Sequence, residues 1–85
     1  MKTFTYKITD EAGIHARPAG ILVKEAKKYA SKITIDRDGK KADATKLLTV
    51  MSLGVKCGQI IEVTVEGEDE ETAAAEIQAF FEANL

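Results

Sequence analysis

Tryptophan is absent from these 85 residues, and cysteine, proline and histidine occur once each, as Cys57, Pro18 and His15. A single cysteine excludes an intramolecular disulfide and any multi-cysteine metal site, and it suits a reducing compartment. With one histidine, far from Cys57 in sequence, a cysteine–histidine nucleophilic pair has no support. Cys57 is expected to be a semi-buried loop residue. No apolar run is long enough to span a membrane, and the alternating, charged stretch Met1–Lys7 lacks the apolar centre of a signal peptide. The expectation is a cytoplasmic protein with no direct membrane insertion. A net charge of −2 gives no reason to expect nucleic acid or an anionic membrane as the main partner. Glycine-rich nucleotide loops, paired carboxylates and metal-ligand clusters are also missing, so no cofactor and no metal is expected.

What is present is ordinary for a folded domain: 45% apolar and 31% charged residues. Residues 1–85 are read as a single domain, near the lower size limit for one unaided hydrophobic core. From Thr3 to Ile8, Phe4, Tyr6 and Ile8 recur at period two, which predicts a strand with one face inward. Asp10–Gly13 reads as a turn. The period then lengthens, and Ala19, Leu22, Val23, Ala26 and Ala30 fall on one stripe of a helix from Ala16 to Lys28 or Tyr29. Its opposite side carries Arg17, Gly20, Ile21, Lys24, Lys27 and Lys28.

Alternation returns over Lys32–Asp36, followed by the hairpin signal Asp38-Gly39 and a return strand, Lys40–Ala44, whose charges suit a sheet edge. Lys46–Leu53 is read as a helix of about two turns, capped by Thr45 and stopped by Gly54. Leu47, Leu48, Val50, Met51 and Leu53 cannot all face a core from so short a helix, so part of this group is expected at the surface. Ile60–Glu66 is the most regular strand, with Ile61, Val63 and Val65 inward. Asp69 is the expected cap of a last helix with Ala73, Ile77, Phe80 and Phe81 on its apolar stripe. The order β-α-β-β-α-β-α with one-sided strands predicts an α+β fold. Helices cover one face of a four-stranded sheet, and the other face stays open to water.

The chemistry is concentrated in Gly13-Ile14-His15-Ala16-Arg17-Pro18. With His15 at the N-cap, Ala16, Arg17 and Pro18 occupy the first turn, where a missing proline N–H costs little. The amides of Ala16 and Arg17 and the positive end of the helix dipole form an anion site, to which Arg17 adds a bidentate guanidinium. Positive potential at a helix start disfavours imidazolium, so His15 is expected to be neutral and nucleophilic. A neutral ring nitrogen can attack phosphorus and hold a phosphoryl group covalently. The residues alone therefore predict a phosphate or phosphoryl site at His15, without naming a pathway.

Gly13-Ile14-His15-Ala16-Arg17-Pro18-Ala19, with Val50-Met51-Ser52-Leu53-Gly54 at the matching distance, resembles the HPr family. These are the histidine-containing phosphocarriers of the bacterial phosphoenolpyruvate-dependent sugar phosphotransferase system, and the likeness extends over nearly the whole chain. It implies an open-faced β-sandwich of four antiparallel strands and three helices. It also implies that His15 accepts a phosphoryl group on Nδ1 from phosphorylated Enzyme I and passes it to the IIA component of a sugar permease. Arg17 corresponds to the family's active-centre arginine. The carrier would be a covalent intermediate working as a monomer, not an enzyme with its own turnover. The same resemblance assigns partner docking to Gly20, Ile21, Lys24, Lys27, Leu47, Leu48 and Met51. Many Gram-positive relatives carry a regulatory serine where this chain has Lys46, so that phosphorylation switch is expected to be absent. The alternative is a regulatory or nitrogen-branch paralogue acting mainly through protein binding.

Overall fold

The computed structural model describes residues 1–14 and 16–85. Its elements are β1 (Lys2–Lys7), α1 (Ala16–Ala26), β2 (Lys32–Arg37), β3 (Lys40–Asp43), α2 (Leu47–Ser52), β4 (Ile60–Glu66) and α3 (Glu70–Asn84). The four strands make one antiparallel sheet in the order β1-β4-β2-β3, so β4, the last strand in sequence, lies between β1 and β2. The expected α+β architecture is what forms.

Alternation decides which face each strand buries. Phe4 pairs with Val63, Val63 with Ile35 and Ile35 with Ala42, giving one apolar row across all four strands. Small Ala42 ends that row on the edge strand β3. The opposite face carries Thr3, Thr5, Thr34, Asp36, Glu62 and Thr64, none of them buried, and no helix among the described residues covers it. Asp38-Gly39 turns the β2–β3 hairpin with positive φ at both residues (50° and 87°), the geometry whose twist matches antiparallel strands.

The helices close the inward face. Ala19, Leu22, Val23 and Ala26 of α1 are buried with Ala73, Ile77 and Phe81 of α3. Phe81 is fully buried, stacked on Tyr6 at 5.6 Å and edge-on to Phe4 at 6.0 Å. Burying a ring of this size stabilises the fold by roughly 1.5–3 kcal/mol. Phe80 is half-buried and packs edge-on against Phe81.

Four expectations require correction, each for a local reason. α1 ends at Ala26 instead of Lys28 or Tyr29, because its last turn tightens into i→i+3 bonds from Lys28 to Glu25 and from Tyr29 to Ala26. Ala30 therefore leaves the stripe and is exposed. Asp69 sits at the N-cap of α3, but its carboxylate makes no cap bond there. It accepts the N–H groups of Ala30 (2.9 Å) and Ser31 (2.9 Å) and the Ser31 hydroxyl, joining the α1–β2 and β4–α3 connections. The N-cap of α2 is Lys46, not Thr45. The Thr45 hydroxyl instead donates to Asp43 (2.6 Å), which also takes the Thr45 N–H (2.8 Å). Cys57 is exposed, its thiol 3.7 Å from the Thr9 carbonyl. Elsewhere the differences are marginal. β3 stops at Asp43, yet the Ala44 N–H still bonds Ile33 (2.9 Å), and Gly54 follows α2 with its N–H on Met51 (3.2 Å).

Candidate functional site

The sheet order brings three separate segments to one end of the molecule. β1 leaves the sheet at Lys7 opposite Ile60, where β4 enters, so the β1–α1 loop and the α2–β4 loop lie side by side. The Ile8 N–H bonds Gln59 (2.9 Å), the Gly58 N–H bonds Ile8 (2.7 Å), and the Ile14 N–H bonds Val55 (3.1 Å). The end of α3 joins them, with Leu85 buried and its main-chain oxygen accepting the N–H groups of Thr9 (2.6 Å) and Asp10 (2.8 Å). Gly13 has φ +68°, and a Cβ there would lie 2.3 Å from the Val55 oxygen, so this crossing of two backbones requires glycine.

His15, the expected phosphoryl acceptor, lies outside the described residues. α1 begins at the next position, Ala16, which is exposed, as is Arg17. Among the described residues the Arg17 guanidinium has no ion-pair or hydrogen-bond partner, which leaves its donors free for an anion. No acidic residue occupies the first turn of α1. Pro18 is buried, which sequence reasoning missed. Its ring, at a position where a missing N–H is tolerated, serves as part of the packed face.

Along the outside of α1, Arg17, Ile21, Lys24 and Lys27 are exposed and Gly20 is half-buried. A Cβ on Gly20 would meet nothing within 4 Å, so the glycine keeps this strip low without being sterically required. α1 packs against α2, and their outer surfaces adjoin. Lys27, Lys46, Leu47 and Leu48 line one shallow depression. On α2 the division predicted by crowding is observed. Val50 and the following Leu53 are buried, whereas Leu47, Leu48 and Met51 are 40%, 82% and 38% exposed. Ile21 is 47% exposed. Among the described residues, six large apolar side chains are exposed, and these four share one two-helix surface. Charges around them are positive: Arg17, Lys24, Lys27 and Lys46. The one carboxylate of α1, Glu25, faces aside and bonds Lys28 (3.0 Å) and the Tyr29 hydroxyl (3.4 Å). Burial first, and then Glu25, raises the Tyr29 phenol above its ordinary pKa.

No group of three or more histidine, cysteine or carboxylate side chains suited to a metal ion occurs among the described residues. No helix among them is long and apolar enough to cross a membrane.

The family model "PTS HPr component phosphorylation site" matches residues 2–83. The chain belongs to the HPr family. The HPr phosphocarrier of Treponema pallidum is 37% identical over 78 residues, covering 92% of this chain and 89% of that protein. An HPr-like protein Crh from Halalkalibacterium halodurans is 40% identical over 72 residues, covering 85% and 86%. Among solved structures, HPr from Thermoanaerobacter tengcongensis superposes with a TM-score of 0.93 at 38% identity, covering 98% of this chain and 93% of that one. An HPr dimer from the same organism gives 0.77 at the same identity, with 98% and 95% covered. The two expected motifs thus fall within an HPr fold, and the open-faced sheet with three helices is that of HPr.

Proposed function

We propose that this HPr-family chain is a monomeric cytoplasmic carrier that receives a phosphoryl group on Nδ1 of His15 from phosphorylated Enzyme I and passes it to IIA components of sugar permeases. The observation that carries this reading is the apolar, cation-rimmed surface of Ile21, Leu47, Leu48 and Met51, which adjoins the helix that starts directly after His15. A relay needs such a face twice, once for the donor and once for the acceptor. As the Nδ1–P bond forms, the bond from phosphorus to its donor breaks, and the arriving negative charge meets the free Arg17 guanidinium and the start of α1. The Ala16 and Arg17 amides share that work. Gly20, Ile21, Lys24, Lys27, Leu47, Leu48 and Met51 dock both partners, and positive charge from Lys24, Lys27 and Lys46 favours partner surfaces rimmed with carboxylates. The chain has no turnover of its own, since donor and acceptor complete the chemistry.

Lys46 cannot take a phosphate, so the serine switch of many Gram-positive relatives is absent. The nearby hydroxyls are badly placed to replace it. Thr45 donates to Asp43, and Ser52 closes the last turn of α2 by donating to Thr49 (2.7 Å), where a phosphate would meet the negative end of the helix.

Incubation with phosphoenolpyruvate and Enzyme I should give an acid-labile, alkali-stable adduct that His15→Ala abolishes. Arg17→Ala should slow transfer by about a hundredfold, the scale of losing one charge-stabilising donor. No adduct, or one that survives His15→Ala, defeats the carrier reading. A second reading is a regulatory or nitrogen-branch paralogue acting mainly through protein binding. Its regulatory half is supported by the likeness to an HPr-like protein Crh and to the solved Bacillus subtilis Crh, whose name couples it to catabolite repression. That reading gains if phosphorylated protein passes nothing to sugar-permease IIA proteins.

A further inference from the structure

Residues 8–14, the segment that leads into position 15, are gripped more firmly than loop amides require, since water alone can satisfy such groups at a surface. On one side a single oxygen, that of Leu85, accepts three hydrogen bonds: from the Thr9 N–H (2.6 Å), the Asp10 N–H (2.8 Å) and the Thr9 hydroxyl (3.0 Å). Leu85 is itself anchored, with its side chain 3% exposed in the core. On the other side Val55 takes the Ile14 N–H, and Gly13 lies against Val55 and Lys56 too closely for any side chain. Ile14 is 6% exposed, so the residue before position 15 is fastened by both its amide and its side chain.

We infer that the junction between Leu85 and Thr9 is a positioning device for the phosphoryl acceptor, setting the direction from which the chain enters His15. The inference rests on the carrier reading above and adds residues to it that touch neither phosphate nor partner. In-line transfer tolerates little misdirection of the attacking atom, and a displacement of about 1 Å made far from the reacting centre can cost about a hundredfold in rate. The end of α3, 76 residues from Thr9, supplies the fixed point. Because α3 packs on β1 and β4, that point moves only if the core does.

Thr9→Val removes the hydroxyl donor while keeping the side-chain shape, and Thr9→Ser keeps the donor. Leu85→Ala keeps the oxygen but removes its buried anchor. With phospho-Enzyme I as donor, Thr9→Val and Leu85→Ala should each lower kcat by about tenfold, a fraction of that limiting effect, with KM unchanged because the docking face is elsewhere. Thr9→Ser should restore kcat. A second readout needs no partner: the nitrogen resonances of the His15 ring should move in Thr9→Val and Leu85→Ala and return in Thr9→Ser. If folded Thr9→Val transfers at the wild-type kcat with unmoved ring resonances, or if KM changes in place of kcat, the inference is overturned. If wild-type protein takes no phosphoryl group, the carrier reading fails, and the ring resonances still decide the positioning.

Discussion

Leu48 and Val50 are two residues apart on α2, and exchanging each for alanine should separate docking from folding. Leu48 is 82% exposed and Val50 1% exposed. Val50→Ala removes two buried methyl-sized groups, worth about 1.6 kcal/mol in transfer at ~0.8 kcal/mol each. The cavity left behind raises the cost to about 2–3 kcal/mol. For a domain of this size that lowers Tm by roughly 8–24 °C. Leu48→Ala should change folding by no more than about 0.5 kcal/mol, or a few degrees, because there is little burial to lose. Docking reverses the order. Burial of a leucine against a partner is worth roughly 1.5–3 kcal/mol, most of it lost on truncation to alanine, so the Kd for Enzyme I or IIA should rise about tenfold or more. Val50→Ala, measured well below its Tm, should bind as wild type. Thermal scans paired with calorimetric titration test both halves. A Tm drop above about 5 °C for Leu48→Ala, or an unchanged Kd, refutes the assignment of this surface.

Acid should weaken the fold through the carboxylates that accept internal hydrogen bonds. The Ser31 hydroxyl first, and then the Ala30 N–H, hold the Asp69 carboxyl below its usual pKa, and the Thr45 hydroxyl does the same for Asp43. A lowered folded pKa contributes stability that is complete above the unfolded value of about 4 and is lost as pH falls through the folded value. Asp69→Asn should therefore lower Tm at pH 7, and the gap from wild type should narrow in acid; a gap constant from neutral pH to pH 2 counts against this linkage. A serine kinase that modifies relatives with the regulatory serine should leave this chain unlabelled, and stoichiometric phosphate on Thr45 or Ser52 would contradict the loss of the switch.

Local patterns carried the element order far because period and turn chemistry act over a few residues. Phe4, Tyr6 and Ile8, or Ile61, Val63 and Val65, need only the pleat to choose a face. The surplus of apolar residues on a two-turn helix foretold that part of this group would stay outside, and the family resemblance singled out Leu47, Leu48 and Met51, which are the exposed ones. The errors lie where a side chain bonds something distant or unexpected. Asp69 has the right identity and place for a helix cap, but the Ala30 and Ser31 amides, 39 and 38 residues away, are better donors to its carboxylate than the first turn of α3. That same contact helps to end α1 early and expose Ala30. Thr45 was lost as a cap to Asp43, a competitor two residues away.

The sequence by itself determined the seven elements, their inward faces, the crowded short helix and the motif around His15, since each depends on neighbours in the chain. Only the tertiary structure decided what stands beside that motif. The order β1-β4-β2-β3 places the entry to β4 against the exit from β1, and α3 then returns Leu85 to Thr9. Contacts over such separations depend on how the sheet and the helices on its inward face fill one core, and no local period encodes them.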